Sequence, residues 1–244
     1  MKKKRFLSSE AIVLASGTIG TTKLLLQYFS LFDYKVRVKH NPQIAILGFL
    51  RKKFLNKNKN ITANILYSLK NKKNLSYDAG MIGLVSEDVV DVICKRFKYI
   101  PSFIFKFFFK IFKDRIFIGN FFISNHFSDS YLSLNKNNLE IQGNYKAKYF
   151  EYEKIIKRKI KNNFSKFSLY TFFYRLPIGS DIHYTGTINS KNHIFFKVND
   201  DYSLDKNPNM FVIDGAVIKG NPIYPGFYII NNAIDFCDKY LKSK

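Results

Sequence analysis

The chain has 244 residues, 46% hydrophobic and 17% aromatic. That is enough apolar surface for one large domain or two small ones, and it excludes wholesale disorder. Its 40 Lys and Arg stand against 18 Asp and Glu, a formal net charge of +22, and Lys supplies 33 of the 40.

The basic residues are scattered among Asn, Ile, Phe and Tyr and form no recognisable nucleic-acid module. A lysine-rich composition that solvates every face therefore competes with a surface for nucleic acid or an anionic membrane. Cys94 and Cys237 are far apart and neither belongs to a CxxC pair. Neither a zinc site nor a disulfide framework is expected, and reduced thiols in a cytoplasmic setting are the default. The start, Met1-Lys2-Lys3-Lys4-Arg5, imitates the basic end of a secretory signal, but Ser8, Ser9 and Glu10 interrupt what would be its apolar core.

In chain order, Ala11-Ile12-Val13-Leu14-Ala15 is a short apolar run of the kind buried in a parallel sheet. Ser16-Gly17-Thr18-Ile19-Gly20 turns the chain, and Thr21 to Phe29 reads as a helix with Leu24, Leu25 and Tyr28 inward. Such a junction can set backbone N–H groups beside an anion, yet it is not the G-x-G-x-x-G dinucleotide fingerprint, which occurs nowhere in the chain. Lys35 to Lys39 alternates, Asn64 to Leu69 and Ala79 to Val85 are strand-like, and Asn56-Lys57-Asn58-Lys59-Asn60 is a solvated loop.

The aromatic-rich run Tyr99 to Ile123 is broken by Lys106, Lys110, Lys113, Asp114 and Arg115, so it cannot supply the about 20 nearly uncharged residues of a spanning helix. Within it, Phe103 to Phe112 has helical spacing, a broad aromatic face and one basic face. A core or oligomer-facing helix is the commoner explanation of that pattern, and a membrane-surface helix is the functional one. Arg115 to Ile123 is strand-like, and Tyr131 to Ile141 makes a hairpin around Asn135-Lys136-Asn137-Asn138. Lys146 to Phe164 is a helix with Tyr149, Tyr152, Ile156 and Ile160 on one stripe. Asn209 to Ile213 is a second buried strand, ended by Asp214-Gly215. Pro225 suits a first helical position, and Phe227, Ile230, Ile234, Cys237 and Leu241 form the packing stripe expected of the last helix. His40, His126 and His193 have no context that singles them out and read as surface or structural.

Three of these pieces resemble the glucose–methanol–choline (GMC) oxidoreductases, flavoenzymes that oxidise alcohols and sugars. They are Ile12 to Leu25 against the family's "VLAAGAxGTxxLL" turn, His183-Tyr184-Thr185-Gly186-Thr187 against its late His-x-x-Gly-Thr, and Asp214-Gly215-Ala216 with Gly220-Asn221. The resemblance covers residues 11–27 and 179–241; between them only Ser128 to Gly143 is similar, to an edge hairpin of the substrate domain. It implies an α+β fold: a partial FAD-binding sheet (1–30), a substrate-binding-like antiparallel sheet with helices (31–175), and a return to the FAD-binding domain (176–244).

The resemblance also implies FAD as cofactor and an alcohol or sugar as substrate. His183 would be the base that takes the hydroxyl proton, and Asn221 would orient the same oxygen. Ser16, Gly17, Asp214, Gly215 and Pro222 would line the cofactor, and the dipole of the last helix would point toward the flavin. Two departures affect the cofactor contacts: Ile188-Asn189-Ser190-Lys191 replaces the usual continuation after Thr187, and Phe227-Tyr228-Ile229 is a bulkier helix start. Family members carry the G-x-G-x-x-G unit far upstream of the "VLAAG" turn, whereas ten residues precede Ala11 here. The expectation is therefore a C-terminal portion of such an enzyme, inactive alone: a split-gene subunit completed by a separate N-terminal FAD-binding polypeptide, a truncated reading frame, or a remnant. The rival is a non-catalytic basic protein binding nucleic acid or an anionic membrane surface.

Overall fold

The structure, a computed structural model, describes residues 9–52, 65–70, 77–85, 101–136, 138–178, 183–188, 196–218 and 225–242. Its class is α+β, with four α-helices and three sheets among the described residues. The chain divides into two compact units: residues 1–41, 128–144 and 178–244 form the first, and residues 42–127 and 145–177 the second. Residues 31–41 and 128–144, grouped with the middle region on sequence grounds, thus lie in the first unit.

The first unit begins with strand β1 (Ile12–Leu14), which leads into helix α1 (Gly17–Tyr28). β1 pairs in parallel with β11 (Asn207–Val212), Ile12 opposite Met210 and Leu14 opposite Val212, and β11 pairs antiparallel with β10 (Ser203–Leu204). Among the described residues β1 is therefore an edge strand; Leu14 packs on the core, while Ile12 is 47% and Val13 45% exposed. A second sheet has the order β2 (Val36–Val38), β7 (Ser128–Asn135), β8 (Asn138–Tyr145), so the expected hairpin forms at the predicted turn. Leu25 and Leu26 of α1, Val36 of β2, Leu134 of β7 and Met210 and Val212 of β11 build one core.

Two helix faces differ from expectation. α1 starts at Gly17, earlier than predicted, and buries Thr18, Thr21, Thr22, Leu25 and Leu26, while Leu24 and Tyr28 are exposed. Its inward face meets polar partners, so hydroxyls replace methyls there. Helix α4 (Gly226–Lys242) buries Phe236, whose ring lies 5.1 Å from that of Phe211 on β11. Tyr240 also meets Phe211, and Tyr202 donates to Asp235 at 2.9 Å. Those contacts rotate Phe227, Ile230, Ile234 and Cys237 of the expected packing stripe out to solvent; the side chain of Leu241, its fifth member, lies outside those described.

The second unit is a five-stranded antiparallel sheet of order β4 (Ile65–Lys70), β5 (Tyr77–Leu84), β6 (Ile116–Phe122), β3 (Gln43–Leu50), β9 (Leu169–Arg175). Helix α3 (Ala147–Ser165) packs on one face, with Tyr149, Ile156, Ile160 and Phe164 against Ile44, Ile46, Ile82, Phe117 and Phe121. Asp78 of β5 is tied beneath it, accepting from Ser124 N at 2.9 Å and from the Tyr152 hydroxyl. Helix α2 (Ser102–Phe112) lies on the other face, where Phe109 packs with Val85, Ile116 and Ile118. Among the described side chains of its broad aromatic face, only Phe109 is buried; Phe103, Ile104, Phe107, Phe108 and Ile111 are exposed, unlike a core helix. No helix among the described residues is long and apolar enough to cross a membrane.

Candidate functional site

The candidate site lies in the first unit, where α1, the segment 183–188 and the end of β11 meet. The inward threonines of α1 make the junctions. Thr18 Oγ1 donates to the carbonyl oxygen of Tyr184 at 2.5 Å, and Thr22 Oγ1 lies 2.7 Å from Thr187 Oγ1. Thr21 Oγ1 donates to Asp214 Oδ2 at 2.5 Å and accepts from Ser16 N at 3.2 Å. Positions 18, 21 and 22 share one side of a helix, so three hydroxyls reach two distant segments at once.

The 183–188 segment is fixed on its other sides by backbone bonds. Thr185 exchanges bonds with Lys39 at 2.9 and 3.1 Å, Gly186 N donates to Gly215 O at 2.9 Å, and Ile188 N to Ala216 O at 2.9 Å. Gly186 has φ +66°, a left-handed conformation that favours glycine. A Cβ there would also stand 3.0 Å from Ile218 O and from Lys39 Cδ. His40, read as surface or structural, is buried and stacks on Tyr184 with ring centroids 5.8 Å apart. The Lys39 ammonium is held below its ordinary pKa by burial and secondarily by the Arg37 charge.

Asp214 is buried and caps the short 3-10 turn Gly215–Val217, Oδ1 accepting from Ala216 N at 2.8 Å. Burial raises its pKa; the Thr21 hydroxyl and the Ala216 and Gly17 N–H groups work in the opposite direction. Its carboxylate is thus committed to holding the start of α1 against the end of β11. Gly215 packs so closely that a Cβ would lie 2.5 Å from Thr18 Oγ1.

Of the residues singled out from sequence, Ser16, Gly17, Asp214 and Gly215 come together here, and His183 adjoins them through its chain neighbour Tyr184. Ser16 and Gly17 are exposed at the start of α1, Gly17 with φ +77° and open space where a side chain would be. His183 is half-buried and immediately precedes Tyr184, the residue that Thr18 anchors. Asn221 and Pro222 lie outside the described residues, as do Asp181, Gly220 and residues 189–195. Pro225 directly precedes α4, and its carbonyl accepts from Ile229 N at 3.0 Å.

The positioning residues Thr18, Thr21, Thr22, Tyr184 and Thr187 were not anticipated. The i, i+3, i+4 spacing of the α1 threonines was their available signal, masked by the neighbouring leucines. A scan of known protein families finds none that matches this chain, and a search of curated proteins finds no match.

Proposed function

We propose that this chain carries the catalytic portion of a GMC-type, FAD-dependent oxidoreductase acting on the CH–OH group of an alcohol or sugar. The observation that carries this reading is the convergence of the three resembling segments. They are separated by up to 193 residues and joined through Thr18, Thr21 and Thr22. Segments similar to one family by chance would have no reason to meet at one point.

The residues present fit one part of such a cofactor. Ser16 and Gly17 are exposed at the N-terminus of a 12-residue helix, and the open space over Gly17 admits a close approach; their own N–H groups are taken by Thr21 and Asp214, so the fit is one of shape rather than of free donors. The flavin would accept the hydride from the carbinol carbon. His183 takes the hydroxyl proton, a task suited to a neutral imidazole. Asn221 orients that oxygen. Asp214 positions the site, fixing Thr21 and the Gly17 N–H and thereby the wall that His183 follows. The exposure of Ile12 and Val13 on β1 supports a second expectation, that an FAD-binding portion outside these residues, such as a separate polypeptide, completes the sheet and supplies the main cofactor anchor.

The test is co-expression with the FAD-binding portion of a GMC oxidoreductase supplied as its own polypeptide. The pair should co-purify with flavin and oxidise an alcohol or sugar, and His183→Ala should keep the flavin spectrum while lowering turnover about 10² to 10⁴-fold. Full turnover by His183→Ala would remove the assigned base. Stoichiometric flavin on the isolated chain would overturn the need for a partner.

A further inference from the structure

We propose that α2 docks the second unit on an anionic bilayer surface. α2 presents to solvent an apolar stripe that a folded protein does not ordinarily leave open. Phe103, Phe107 and Ile111 recur at helical spacing with Ile104 and Phe108 beside them, and Phe103 is 71% and Phe107 63% exposed. The stripe faces away from Phe109, which anchors the helix on Ile116 and Ile118. It is therefore held by a seated helix rather than by a loose one.

The apolar surface also continues beyond α2. The rings of Phe108 and Phe112 stack, Phe112 meets Phe49 at 5.8 Å, and Phe49 is paired across the sheet with exposed Tyr170. Leu47 and Phe172, the next pair on that face, are exposed as well.

Charge complementarity selects the occupant. Lys106, Lys110 and Lys113 run along one border of the stripe, and Ser102–Phe112 contains no acidic residue. A helix with aromatic side chains entering the acyl boundary and lysines at its edge has the physical form of an interfacial anchor. Each lysine near an anionic leaflet adds to the attraction. A second copy of this chain is disfavoured as occupant, because a two-fold contact brings the same lysines of both copies into one interface.

The test uses the full chain and vesicles of phosphatidylcholine with or without phosphatidylserine. Binding should favour the anionic vesicles by at least about tenfold and weaken as salt rises. Lys110→Glu with Lys113→Glu should lower affinity roughly tenfold or more. The chain contains no Trp, so Phe107→Trp provides a single reporter. Its emission should shift to the blue and be quenched by brominated lipid when the protein binds. Equal binding to neutral and anionic vesicles, or a reporter that bromolipid leaves unquenched, overturns the proposal. A concentration-dependent dimer that Phe103→Ser with Phe107→Ser dissolves would assign the stripe to a second copy, and would overturn it too.

Discussion

Asp214 sets burial against hydrogen bonding more directly than any other group at the site. Burial raises its pKa above the ordinary 3.8, and three donors pull it back without cancelling the rise. The folded protein therefore holds this proton more tightly than the unfolded chain does. The resulting stability is fully present below pH 3.8 and is lost as pH rises through the elevated folded value. Asp214→Asn removes this titration, so the wild type should lose stability relative to the variant as pH climbs from 3.8. Urea midpoints of both proteins across that range measure the difference, which also cancels the titration of all other carboxylates. A difference that is flat with pH would mean that the three donors fully offset burial. The residue type was legible in the sequence as a strand-ending Asp-Gly. Its internal role was not, because the partners lie on α1, at positions hydropathy discounts.

Strands and helices were largely legible as segments, and their faces less so. α3 was readable because lysines occupy its outer side and leave one apolar stripe. α4 has two such stripes, and contacts with Phe211 and Tyr202, distant in sequence, choose between them. The α3 stripe also encloses a charge that its pattern concealed. Glu153 is 1% exposed and meets Arg175 of β9, whose Nε donates to Oε2 at 2.8 Å. Lys157 Nζ lies 2.7 Å from Oε1, and the guanidinium covers the Phe150 ring at 4.7 Å. The two partners are unequally buried, for the Arg175 side chain is 39% exposed. Removing the cation leaves a buried carboxylate with one remaining partner, whereas neutralising the acid leaves an arginine that water can reach. Arg175→Met should accordingly cost about 2–3 kcal/mol, less than a fully stripped buried pair. Glu153→Gln should cost about 1 kcal/mol. Urea unfolding of the two variants gives the ranking; equal losses would show that Lys157 alone suffices to hold Glu153.

The two units differ in how self-sufficient their sheets are. The second has five antiparallel strands with α3 across one face; alternation marked β4, β5 and β6 in the sequence, whereas β3 and β9, whose apolar runs carry few polar interruptions, were not read as strands. The first carries a parallel pair whose outer member among the described residues, β1, packs Leu14 on the core and leaves Ile12 and Val13 nearly half exposed. The run Ala11 to Ala15 was legible as a strand for a doubly covered sheet, but no pattern within one chain states what covers it. A parallel strand is ordinarily buried on both faces, and here two side chains are nearly half exposed. If β1 is the seam for an FAD-binding polypeptide, charge placed there should act on association and not on the fold of this chain. Ile12→Lys and Val13→Lys should each change the stability of the isolated chain by no more than about 0.5 kcal/mol, as exposed substitutions do. In the assembled pair the same lysines would have to be buried without a partner, so association should weaken at least about tenfold. Urea unfolding of the chain alone and titration calorimetry of the pair separate these effects. A large loss in the isolated chain would show that β1 already has its cover, and undiminished association would place the seam elsewhere.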